Sequence, residues 1–156
     1  MITIKVTVND QGARQMLQAI ADRASDLTPA MRLVGEIVTE SVQRNFEQKR
    51  SPEGAGWRPL SEQYAQWRSR RHGRNATDIL VMNRVLMGGI HYKAEGARVT
   101  IAPQSATRAY AAIHQFGGKA GRGRKATIPA RPYLGVRKGD WPQIVDVLGK
   151  YLISIR

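Results

Sequence analysis

The chain has no cysteine, few acidic residues and no long apolar run, and each shortage removes a class of chemistry. Without cysteine there is no disulfide framework and no thiolate nucleophile or metal ligand, which fits a reducing cytosolic origin. No stretch approaches the ~18 apolar residues that a membrane span needs. The N-terminus, MITIKVTV, alternates apolar and polar residues and lacks the continuous apolar core of a signal peptide. The expectation is a soluble protein, without a membrane partner, that stays inside the cell that makes it. Asp and Glu number 12 against 25 Lys and Arg, a net charge of +13. That excess predicts attraction to polyanions or to an acidic protein surface and says nothing of fold.

What is present reads as one domain over residues 1–156, long enough to bury roughly two-thirds of its unfolded surface. Ile2, Ile4, Val6 and Val8 alternate with polar residues, the period of a half-buried strand. Asn9 or Asp10 can cap a helix bearing Ala13, Met16, Leu17, Ile20 and Ala24. Thr28-Pro29 reads as the cap and first position of a long helix to about Lys49, with Met31, Val34, Val38, Val42 and Phe46 on one face. Arg32 with Glu36 and Glu40 with Arg44 are spaced as solvated ion pairs on its other face. Ser61 can cap a third helix carrying Tyr64 and Trp67 and running into Arg68, Arg70, Arg71 and Arg74. A short helix is expected over Ile79 to Leu86, then a hairpin of Ile90 to Ala94 with Val99 to Ala102. Ala109 to Gln115 resembles two helical turns closed by Gly117 or Gly118. The basic, glycine-rich stretch at about 117–126, with Lys119, Arg122, Arg124 and Lys125, should be an exposed, mobile loop. Thr127-Ile128 could begin a strand, Pro129 and Pro132 impose an extended path, and Asp140 starts a last helix with Ile144, Val145, Leu148 and Leu152. The sum is α+β: a small, mostly antiparallel sheet packed against several helices.

Catalytic equipment is hard to find. GRGRKA, residues 121–126, spells a dinucleotide fingerprint, but an extended Thr-Ile-Pro follows where a helix N-terminus is required. Gly118 and Gly123 have P-loop spacing, yet Arg124-Lys125 stands where Lys-Ser or Lys-Thr is needed. His72, His91 and His114 are far apart, and no serine lies in a GxSxG elbow. No metal, cofactor or catalytic residue is expected, and His114 reads as a packed or capping histidine near a helix end. A small hydrolase would need His114 to meet a carboxylate such as Asp78 or Glu95. The two basic clusters, residues 68–74 and 119–125, could instead neutralise phosphates without sequence preference.

Three passages, in order, carry a resemblance: PEGAGWRPLS (52–61), YAAIHQFGG (110–118) and IPARPYLGV (128–136). Together they resemble the phage virion morphogenesis family, which includes tail-completion proteins of contractile-tailed, Mu-like and P2-like phages. The resemblance covers roughly residues 30–155. It implies a non-enzymatic assembly factor completing the tail or the head–tail junction, in the host cytoplasm and then at that junction in the virion. Tail tube, terminator or head–tail connector proteins would be its partners, with packaged DNA a further contact and a ring of copies plausible on a repeated tube end. The matched residues then look like packing devices. Trp57 would plug the core with Pro59 fixing the next helix, while Tyr110, His114, Phe116, Gly117 and Gly118 form a scaffold. Pro129 and Pro132 would hold Arg131 rigidly towards a carboxylate or neighbouring subunit. The alternative is a nonspecific nucleic-acid-binding protein acting in packaging or elsewhere in the phage cycle.

Overall fold

A computed structural model describes residues 10–72, 78–81 and 84–154, together with all side chains in those ranges except His72 and Arg124. The strand expected over residues 2–8, and Arg74, lie outside the described residues. The fold is α+β, with six helices and two separate two-stranded antiparallel sheets among the described residues. The helices are α1 (Gln11–Ser25), α2 (Thr28–Gln48), α3 (Glu62–His72), α4 (Val85–Gly88), α5 (Arg108–Phe116) and α6 (Trp141–Ile153). The strands are β1 (Ile90–Glu95) with β2 (Arg98–Pro103), and β3 (Gly118–Ala120) with β4 (Ala126–Ile128). No helix among the described residues is long and apolar enough to cross a membrane.

Helix α2 is the axis of the molecule because its apolar residues recur every three or four positions. Val34, Ile37, Val38, Val42 and Phe46 are all buried there. Its start differs from expectation by one residue: Thr28 is already helical and Leu27 takes the cap position with no side-chain cap, while Asp26 Oδ1, just ahead of it, accepts from the Thr28 backbone N at 2.9 Å. Hydrogen bonding from the Thr28 side chain first, and from its backbone N second, holds the Asp26 carboxyl below its usual range. Thr28 Oγ1 also accepts from Gly96 N at 2.9 Å, which ties the β1–β2 turn to the helix. The helix ends at Lys49 in a left-handed conformation, and Trp57 N then returns to Lys49 O at 2.8 Å.

The β1–β2 hairpin lies across α2 with Glu95 opposite Arg98. Gly35 makes the close approach possible, since a Cβ there would collide with the ring of Tyr92. Tyr92 Oη reaches Glu36 at 3.3 Å, so that carboxylate meets the hairpin, whereas Glu40 pairs with Arg44 at 2.7 Å as its spacing suggests. On the other side α6 packs against α2 and α1, and α1 buries no residue fully. A buried polar set locks α6 in place. Asp140 accepts from Ser41 Oγ at 2.6 Å and from Arg137 N at 2.8 Å, ahead of the helix that begins at Trp141.

Two expectations need correction. Ile79 and Leu80 lie in a turn and helix α4 is only Val85–Gly88, because Leu80 and Arg84 both take positive φ, which a helix excludes. The basic stretch after Gly117 is also more ordered in form than a loop: Lys119 pairs with Thr127 and Ala120 with Ala126 across a short ladder.

Candidate functional site

The three passages that stood out in the sequence converge on one knot beside Phe46. Trp57 is 7% exposed, meets Phe46 edge-on at 5.6 Å, and donates from Nε1 to Pro132 O at 2.7 Å. Arg131 is 4% exposed and donates from Nε to Arg58 O (2.8 Å) and from Nη2 to Pro59 O (3.0 Å). Its backbone N donates to His114 O at 2.7 Å. Arg131 is thus not presented to a carboxylate. It clamps the strand-like path of residues 129–134 to the loop after Trp57, whose Arg58 and Pro59 carbonyls take their donors from this one side chain.

Gln115 completes the knot, and nothing in the sequence reading singled it out. Its Oε1 accepts from Tyr133 N and Leu134 N, both at 3.0 Å, and its Nε2 donates to Leu134 O at 3.2 Å. One side-chain amide therefore stands in for a neighbouring strand. Asn45, buried on α2, does the same from below, donating to Tyr133 O at 2.9 Å and accepting from Arg137 Nε at 2.7 Å. The available signal was a pair of amides placed inside otherwise apolar helical faces. Tyr133 itself packs on Phe46 at 5.0 Å, and burial, with Tyr110 adding, pushes its phenol up to about 12.

Gly117 ends α5 with φ 76°, and a Cβ there would sit 2.9 Å from Ala130 N. Only glycine lets the chain turn so close to the Arg131 segment. Gly118 opens β3, with Ile113 beneath it. Phe116, expected in the scaffold, is instead 77% exposed. Five residues beyond buried Ala111, it projects from roughly the opposite side of the helix.

Outside this knot a groove of about 1080 Å³ opens between α3, α5 and the end of β4. Tyr64, Leu80, Leu86, Tyr110, Ile128 and Pro129 make its walls largely apolar. Arg58, Glu62, Arg68, Arg131 and His114 also line it, so cations outnumber the one carboxylate among its described lining. His114 is half-buried, and its Nδ1 has no hydrogen-bond partner among the described residues. Burial first, and the Arg131 charge second, lower its pKa, so the imidazole is held towards the neutral form. No hydrogen bond or ion pair joins Asp78 or Glu95 to it among the described residues, and Glu95 pairs with Lys93. The dyad that a hydrolase would need is therefore not formed among the described residues. Nor do these include three His, Asp or Glu side chains grouped to hold a metal.

The basic clusters divide. Arg70 and Arg71 are exposed on α3 beside Trp67, and Lys119, Arg122 and Lys125 are exposed on the β3–β4 hairpin. Arg68 does not belong with them. It is 2% exposed, with Nη1 donating to Asp78 O at 2.6 Å: the helix turns residue 68 inward and residue 70 to the far side, while Arg71, one turn on from Arg68, is exposed near the end of α3.

The model of the phage virion morphogenesis family matches residues 8–153. Over 151 residues the chain is 33% identical to "Mu-like prophage FluMu G protein 2" of Haemophilus influenzae, covering 97% of this chain and 96% of the relative. Over 123 residues it is 32% identical to "Putative capsid assembly protein G" of Escherichia phage Mu, covering 76% and 75% of the two chains. No solved structure matches the chain. From residue 8 to residue 153, the chain belongs to the phage virion morphogenesis family.

Proposed function

We propose that this phage assembly protein is a non-enzymatic factor that completes the tail or the head–tail junction. The observation that carries the reading is the family match across nearly the whole chain, in a molecule whose three family-resembling passages fold into a structural knot. Two exposed basic patches, Arg70 with Arg71 and Lys119 with Arg122 and Lys125, suit contact with acidic tube or connector surfaces. They would also suit the DNA that passes the junction. Several copies around a tube end would multiply such contacts by symmetry.

Electron microscopy of particles made without the protein tests this. Full heads beside separate, unjoined tails are expected. Empty or malformed heads would point to a role in the capsid, in line with the phage Mu relative's name, and would overturn the proposal. The second reading, nonspecific nucleic-acid binding, draws on the same exposed arginines and lysines. It requires DNA affinity of the purified protein to fall steeply with salt, whereas binding to isolated tails alone favours the junction.

A further inference from the structure

The groove beside the knot holds a feature that the packing of the chain does not explain. Arg68 is almost wholly buried in its wall, yet its Nε and Nη2 have no hydrogen-bond partner among the described residues. These two nitrogens form one edge of the guanidinium, the edge that a carboxylate grips with two parallel bonds. A buried cation left half-paired is unfavourable, so the arrangement is suited to an arriving anion. The chain's own undescribed segments cannot supply a side-chain carboxylate: MITIKVTVN, GRNAT, MN and IR contain no Asp or Glu.

We infer that the groove docks a segment of a neighbouring virion protein, with an Asp or Glu side chain on Arg68 and large apolar side chains on either side of it. Leu80, Leu86, Ile128 and Pro129 provide apolar walls, and Tyr64 and Tyr110 expose ring surface at the opening. Such walls suit leucine or phenylalanine side chains and offer little to a sugar–phosphate chain, which needs several cations spread along its path. Charge complementarity points the same way, since a chain of net charge +13 draws acidic partners. The inference rests on the assembly role proposed above and names the kind of surface that role would engage.

The probes are two peptides, acetyl-Leu-Phe-Glu-Leu-Leu-amide and the same peptide with glutamine for glutamate. Each is titrated into the full chain while the Arg68 Nε–H signal is followed by NMR. The glutamate peptide should shift that signal and bind at least about tenfold more tightly, as a charge-assisted bidentate pair requires. Arg68→Met should abolish the difference, and Arg68→Lys, which keeps the charge without the fork, should reduce it. Equal binding of the two peptides to the wild-type chain, or none, overturns the inference whether or not the variants fold. So does a shift of the same signal by a single-stranded oligonucleotide in preference to the peptide, or by raising the protein concentration alone. A failed peptide test with unjoined particles still seen in the absence of the protein would remove the groove and leave the assembly role standing. Normal particles without the protein would remove the role.

Discussion

Replacing Trp57 with alanine would empty the centre of the knot. The indole is 7% exposed, lies edge-on to Phe46 and holds Pro132 O through Nε1. Emptying a buried aromatic site costs about 3–5 kcal/mol. In a domain of this length that corresponds to a fall in Tm of roughly 6–20 °C. Trp57→Phe separates the two contributions, because it keeps a ring and leaves Pro132 O without its donor, a loss of about 1–3 kcal/mol. Circular dichroism melts of both variants read the magnitudes. Fluorescence reads the burial directly, in a background with Trp67→Phe and Trp141→Phe, since those indoles are 47% and 54% exposed. Trp57 emission should then be blue-shifted. Emission like that of free tryptophan in water, with a melt within a degree or two of the parent, would refute the packing argument.

Other outcomes follow from single observations. His114 has a depressed folded pKa, so its contribution is complete above the usual imidazole value of 6.5 and is lost as pH falls through the folded value. Melts across that range should show stability declining on the acid side, and His114→Gln should flatten the decline without touching any turnover. Gly117→Ala should destabilise by about 1–3 kcal/mol through strain at positive φ, whereas Gly149→Ala, on α6 with nothing within 4 Å of the new Cβ, should stabilise. Denaturant midpoints compare the two, and a neutral Gly117→Ala would show that the turn relaxes. Replacing Lys119, Arg122, Arg124 and Lys125 together with serine should leave Tm nearly unchanged and lower the yield of joined, infectious particles. A normal titre across a range of salt would make the hairpin merely solvated surface.

The long elements were legible because their signals are local. The 3.6-residue recurrence from Val34 to Phe46 and the turn at Gly96 each fix an element within a few residues. Arg68 was misplaced because Arg68, Arg70 and Arg71 look like one cluster in the sequence, while a helix spreads neighbouring residues around its axis. Arg131 was expected to face a partner because its nearest acceptors, Arg58 O and Pro59 O, lie more than seventy residues away and are backbone atoms. No residue type announces a carbonyl in need of a donor. Gln115 escaped notice for the same reason: its bonds to residues 133 and 134 arise only once Gly117 has turned the chain back. The short ladder of Lys119 with Thr127 was hidden by glycines and charges that read as irregular.

The central claim is that the protein completes the tail or the head–tail junction, so that heads and tails made without it do not join. The most direct measurement adds the purified protein to a mixture of full heads and tails taken from particles made without it, and counts infectious units. The account predicts that joined, infectious particles appear in proportion to added protein, with no new synthesis. No rise in titre, with the same heads and tails competent to join when taken from a normal infection, would contradict it.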